Sequence, residues 1–130
     1  LSESAILSIS QAVFSKLSSS QDHWAIRFPT HVGDVAKALA DLVDTNHSFA
    51  LWSGIWHYSA SEALTKYEIA KIIANIAGID DITLKAQTSS GSGAPRPQNA
   101  QLSTKRIDSL LTFKHRSFRD GLEDSLSLFL

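Results

Sequence analysis

The chain has no cysteine and no methionine in 130 residues. Without cysteine there is no disulfide framework and no thiolate metal site. Methionine is missing even at position 1, so a piece of a longer polypeptide is expected, already inside a structured region at its first residue. Net charge is only −1 and no basic run occurs, which argues against a nucleic-acid or acidic-membrane surface. No apolar run approaches the length of a membrane span. No charged-then-apolar leader opens the chain, so secretion is not expected. What is present is ordinary for a globular protein: 43% hydrophobic and 19% charged residues, in a length that suits about one domain.

Helical spacing dominates the pattern. Residues 2–18 read as a helix, with Ser2 as cap, Glu3 at the positive end, and Ile6, Ile9, Val13 and Leu17 on one face. A second helix is expected over 32–45, with Val32, Val35, Ala36, Leu39 and Val43 as its apolar stripe and Asp34 favoured by the helix dipole. The third has the clearest signal. Thr65 and Glu68 form a capping box, Ile69, Ile72, Ile73 and Ile76 make a buried face, and Gly78 suits the position after the helix. Ser103 can cap a short helix to about Leu111. Ser117 with Asp120 can cap a last one, with Phe118, Leu122, Leu126 and Phe129 on one side. Residues 24–28, 54–60 and 82–86 read as strands. The alternation predicts an α/β fold with short parallel strands and crossover helices.

Few residues carry an obvious chemistry. Tyr67 and Lys71 have the Tyr-x-x-x-Lys spacing, which can place a cation where it lowers a phenol's pKa for proton transfer. Tyr67 falls in the first turn of its helix and Lys71 on the polar side, so we read them as a half-buried tyrosine and a surface lysine. No catalytic residue is assigned. Gly91-Ser-Gly93 fails as a dinucleotide fingerprint, because Arg96 occupies the third glycine position and no helix opens there. The five histidines (23, 31, 47, 57, 115) include no i, i+4 pair, so no zinc site is expected. His31 and His57 read as structural. The remaining candidate is the segment Pro95-Arg96-Pro97-Gln98-Asn99. Its prolines push the backbone extended and preorganise Arg96, whose guanidinium can fork onto a phosphate or carboxylate. Asn99 adds an amide that donates and accepts. Ligand binding by Arg96 and Asn99 is one reading. A structural arginine tying the loop to backbone carbonyls is the other.

Three stretches together carry a resemblance: RFPTHVGDVAKAL (27–39), GIWHYSASEALTKYEIAKIIA (54–74) and GAPRPQNAQLSTKRI (93–107). In this order they resemble the C-terminal half of extended short-chain dehydrogenase/reductases, and more specifically the dTDP-4-dehydrorhamnose reductase (RmlD-like) family. Within it they look like the regulatory beta subunits of methionine adenosyltransferase. The resemblance implies that residues 1–130 form one C-terminal substrate-binding lobe of a Rossmann-type protein. The nucleotide-binding domain, with the family's own Tyr-x-x-x-Lys, would lie outside this chain. It implies NADP in the full-length parent, with no cofactor held tightly by these residues alone. It implies a methionine adenosyltransferase catalytic subunit as partner, modulation of S-adenosylmethionine synthesis, and a cytoplasmic location with the nucleus as a further one. The competing implication is the substrate-binding part of an NADPH-dependent dTDP-4-dehydrorhamnose reductase. Two departures bear on the choice. The reductases usually have Ser where this chain has Ala100, and a methyl cannot hydrogen-bond a substrate. They tend to have Asp or Asn where this chain has Ser103, a neutral exchange among helix-capping residues.

Overall fold

The computed structural model describes residues 5–15, 18–45, 53–80, 83–91 and 93–126. Ser2, Glu3, Leu17 and Phe129, named above as caps or face residues, lie outside them. The elements in chain order are α1 (Ala5–Phe14), β1 (Ser19–Asp22), α2 (Val32–Thr45), α3 (Lys66–Ile76), β2 (Leu84–Gln87), α4 (Lys105–Asp108) and α5 (Phe118–Leu126). The fold is α/β, and its contacts divide into two compact units.

The first unit comprises residues 1–27 and 63–100. Its two strands pair in parallel, with Ser19 opposite Leu84 and Asp22 opposite Gln87. Helix α3 packs on both strands and on α1. The strand–helix–strand order is the βαβ arrangement, in which a crossover helix covers a parallel pair. Ile9 and Val13 of α1 meet the buried face of α3, made by Ile69, Ala70, Ile73 and Ala74. Both ends of α3 follow from its sequence. At the N-terminus, the Thr65 hydroxyl accepts from the Glu68 N–H at 3.3 Å, and the Glu68 carboxylate accepts from the Thr65 N–H at 2.7 Å. At the C-terminus, Gly78 takes φ +63°. Its N–H donates to the Asn75 carbonyl while the Ile79 N–H reaches back to Ala74, a Schellman turn that a glycine enters without steric cost.

The first strand is not where alternation places it. Residues 24–28 were expected as a strand, yet β1 is the polar Ser-Ser-Gln-Asp just before them. The Asp22 carboxylate accepts the N–H groups of Trp24 and Ala25, which turns the chain out of the strand. Ile26 and Arg27 keep only isolated bridges, to Asn99 and Leu64. The strand expected at 82–86 is β2, displaced to Leu84–Gln87.

The second unit comprises residues 28–62 and 101–130. It holds α2, α4 and α5, with Ala38, Ile107, Leu122 and Leu126 as its buried apolar side chains. The strand expected at 54–60 does not form. That segment has no partner strand among the described residues, and its polar and aromatic groups bond sideways instead. The Ala60 N–H donates to the Thr30 hydroxyl, Trp56 lies under Arg106, and Tyr58 stacks on His115. Helix α5 begins as its caps require, with the Asp120 N–H on the Ser117 hydroxyl and the Phe118 N–H on the Glu62 carboxylate. The helix expected from Ser103 starts one residue later, after Thr104, and is a single turn. The Thr104 hydroxyl donates to Asp108 instead of capping the backbone.

Helix α2 has the expected ends but the opposite rotation. Val32, Ala36, Leu39 and Val43 of the expected buried stripe face solvent, whereas Asp34, expected only as a dipole partner, is buried. The cause is polar. Asp34 accepts from both the backbone N–H and the guanidinium Nε of Arg116, at 3.1 and 2.9 Å. A buried carboxylate that loses such partners costs far more than an exposed valine.

Candidate functional site

The segment singled out in the sequence belongs to the first unit up to Ala100. Its attachment is made by backbone. The Gln98 carbonyl accepts the Ile26 N–H at 2.7 Å, and Asn99 bridges Ile26 in parallel register. The strip it joins is itself fixed. The Arg27 guanidinium donates to the Ala25 carbonyl and to the Asp22 carboxylate, at 2.7 and 2.9 Å. Burial pushes the Asp22 carboxyl up, but the two backbone N–H groups and Arg27 outweigh it and hold it below the usual value.

Arg96 has no hydrogen-bonding or ionic partner among the described residues, and both Arg96 and Asn99 are exposed. Of the two readings of this segment, the attachment seen is made by the main chain of Gln98 and Asn99. Pro95 and Pro97 flank Arg96. Ala100 is exposed beside them.

The Tyr-x-x-x-Lys pair lines a cleft of about 340 Å³ in the same unit, together with Asn75 and Asp80. Its geometry is not that of an acid–base pair. The Lys71 Nζ lies over the Tyr67 ring, 5.9 Å from its centroid, so the cation faces the π-system and not the phenol oxygen. The His23 ring meets Tyr67 at 4.9 Å, and its Nδ1 lies 2.9 Å from the Thr65 hydroxyl. Thr65 in turn donates to Glu68 at 2.9 Å. His23 thus extends the capping box of α3. The Thr65 bonds hold the Glu68 carboxyl below its usual value against the opposing effect of burial.

The second unit contains a smaller cavity of about 150 Å³, lined by Ser59, Ser61, Gln101, Thr104, Asp108 and His115 among others. Behind it Tyr58 and His115 are hydrogen-bonded, hydroxyl to Nδ1 at 3.1 Å. Burial, and then the Asp34 and Asp108 carboxylates, push the Tyr58 phenol up to about 12. At neutral pH it stays a phenol, so it serves as a hydrogen-bonding group and not as a base. Arg106 closes another side of this unit. Its guanidinium lies 3.7 Å over the Trp56 ring and donates to the carbonyls of Ser53 and Ile55, at 2.9 and 3.0 Å. Gly54 has φ +98° there, and a Cβ on it would come 2.8 Å from the Arg106 Nη1.

Sequence reading missed Tyr58, His115, Arg106 and the Asp34–Arg116 pair. Their partners lie 51 to 82 residues apart along the chain, beyond any spacing rule. Among the described residues no cluster of three or more His, Asp or Glu could hold a metal ion.

The comparisons with known proteins divide in the same way as the motifs. The chain is 39% identical over 132 aligned residues to methionine adenosyltransferase 2 subunit beta of Bos taurus, and equally to that of Mus musculus. Each alignment covers 100% of this chain and 40% of the relative. The chain therefore spans well under half the length of the curated relatives it matches. Among solved structures it is similar to a dTDP-4-dehydrorhamnose reductase from Clostridium acetobutylicum, with a TM-score of 0.78 at 17% identity, covering 97% of this chain and 44% of that one. It is also similar to the dTDP-4-dehydrorhamnose reductase of Bacillus anthracis in complex with NADP, with a TM-score of 0.72 at 21% identity, covering 94% of this chain and 42% of that one. These two likenesses establish the fold. Residues 8–130 match the family described as the RmlD substrate binding domain, and on that match over almost its whole length the chain belongs to this family.

Proposed function

We propose that this chain is the substrate-binding lobe of a longer, regulatory protein of the methionine adenosyltransferase beta-subunit type. One observation carries the reading: 39% identity over the entire chain to subunits of that name, against 17–21% to the reductases of the same fold. Ala100 supports it, since a methyl cannot make the hydrogen bond available to a serine there. On this reading the lobe is non-catalytic by itself. The full-length protein binds NADP through its other part and associates with a methionine adenosyltransferase catalytic subunit, tuning S-adenosylmethionine synthesis. Arg96 and Asn99 are its ligand contacts. An exposed guanidinium held by two prolines loses little entropy on meeting an anionic group.

Retention of a methionine adenosyltransferase catalytic subunit by the tagged full-length protein is the test. No retention removes the regulatory reading. NADPH oxidation with the 4-keto sugar nucleotide would replace it by the reductase reading, which the shared fold keeps in view. Arg96→Ala should weaken ligand binding by the full-length protein about tenfold or more, the loss typical of a charge-assisted hydrogen bond, with an unchanged melting temperature. A lowered melting temperature with unchanged binding would make Arg96 structural.

A further inference from the structure

The cleft of about 340 Å³ beside α3 has no part in the function proposed above. Tyr67, Lys71, Ala74 and Asn75 line one side of it, and their spacing puts all four on one flank of the helix. Ile79, Asp80 and Leu84 line the other side, along the chain that leaves α3 and enters β2. All of these residues belong to the first unit. Both sides are fixed. The capping box and the Gly78 turn hold the ends of α3, the Ile79 N–H donates to the Ala74 carbonyl at 2.9 Å, and Leu84 pairs with Ser19. Tyr67 is braced by the His23 ring, which is itself bonded to Thr65.

The lining carries one charge of each sign, on Lys71 and Asp80, and no ion pair among the described residues uses either. Glu68, the other acid that feels Lys71, has its carboxylate on the N–H and hydroxyl of Thr65. The Lys71 ammonium lies over the Tyr67 ring, a contact it can keep while donating hydrogen bonds elsewhere. The rest of the wall is mostly apolar, from Ala74, Ile79, Leu84 and the Tyr67 ring, with the Asn75 amide as a further polar group. A neutral apolar guest would leave both charges without a partner. An anion would meet Asp80 as well as Lys71, and a cation would meet Lys71 as well as Asp80. A guest with both charges and an apolar part satisfies the whole lining. The volume lies at the lower end of the range for small-ligand clefts, about 300–1,000 Å³, so that guest is small.

We propose that this cleft binds a free aliphatic α-amino acid. Lys71 receives the carboxylate, Asp80 the ammonium group, and Ile79, Leu84 and the Tyr67 ring the side chain. The Tyr-x-x-x-Lys spacing then has a use other than proton transfer, with the ring of the tyrosine and the charge of the lysine as two parts of one wall. The inference goes beyond the regulatory reading and shares no residue with it, since neither Arg96 nor Asn99 lines the cleft.

The test is calorimetric titration of the full-length protein with L-leucine. Beside it run 4-methylpentanoate and 3-methylbutylamine, each of which keeps one of leucine's two charges. Saturable binding of leucine is expected in the millimolar range or below. Each analogue should bind about tenfold more weakly or worse, the loss that goes with one charge-assisted hydrogen bond. Lys71→Gln and Asp80→Asn should each weaken leucine by a similar factor at an unchanged melting temperature, because both side chains are exposed. The two variants should also differ. Lys71→Gln leaves the binding of 3-methylbutylamine as it was, and Asp80→Asn that of 4-methylpentanoate. The absence of saturable leucine binding overturns the proposal. So does an analogue that binds as tightly as leucine, or a leucine affinity that neither variant changes. If the full-length protein retains a methionine adenosyltransferase catalytic subunit but binds no leucine, only this inference fails. If it binds leucine through Lys71 and Asp80 but retains no such subunit, only the regulatory reading fails.

Discussion

The two units solve the burial problem in opposite ways. In the first, α3 hides four apolar side chains against α1 and a parallel strand pair, and its ends are closed by a capping box and a glycine turn. In the second, α2 hides a carboxylate and shows solvent three large apolar residues. The first unit is held by oil and the second by charge. Local pattern reads α3 in part: Ile69 and Ile73 of the expected face are buried, whereas Ile72 and Ile76 are half-buried and Ala70 and Ala74 complete the buried face. It misreads α2 because a buried carboxylate with its arginine outranks a hydrophobic stripe, which is left facing solvent.

The sharpest way to break that contrast is Asp34→Ala in the full-length protein. Removing Asp34 leaves Arg116 only its partly exposed contact with Asp124 and leaves the Arg116 backbone N–H unpaired, so a loss of about 3 kcal/mol is expected by denaturant unfolding. A loss below about 1 kcal/mol, the level of an exposed ion pair, would show that α2 is not held by its polar face. Next comes Ile73→Ala, a fully buried residue of the first unit. Cavity formation should cost about 2–5 kcal/mol, with the same value at pH 7 and pH 5, because no titrating group is involved.

Acid acts on both units. The carboxyls of Asp34, Asp22 and Glu68 all lie below their ordinary values when folded. For Asp34, burial acts upward, but the bonds and charge of Arg116 act downward and prevail. A depressed folded pKa contributes stability above the unfolded value, near pH 4 for these side chains. That contribution is lost as pH falls through the folded value. Melting temperature should therefore drop steeply below about pH 4, and the drop should be shallower in Asp34→Asn. An unchanged acid limb in that variant would remove Asp34 from the account.

The smallest expected effect tests the cap. Thr65→Ala deletes the hydroxyl that meets Glu68 and His23 and should cost about 1 kcal/mol, within the usual range for N-caps. No change would mean that water replaces the hydroxyl in both bonds.

Much of the candidate site was legible in the sequence as residue type and little of it as arrangement. Pro95 and Pro97 pointed to an extended backbone around Arg96, and Arg96 is exposed. The alternation in Trp24–Phe28 pointed to a strand, but the Asx turn at Asp22 ended the strand before it. The aromatic run at 54–60 pointed to another, but its groups found side-chain partners from the far end of the chain.

By itself the sequence determined the local signals that need only near neighbours. These are the capping box of α3, its glycine stop, the Ser117 cap of α5 and the prolines on either side of Arg96. Each depends on residues within a few positions of one another, where backbone geometry leaves little choice. Tertiary structure alone decided which face of α2 lies inward, where the first strand sits, and which groups surround Tyr58. Those outcomes hang on partners such as Arg116 and Thr112, 82 and 71 residues from their aspartates. A buried charge takes the orientation that satisfies it, and no local periodicity records where its partner will come from.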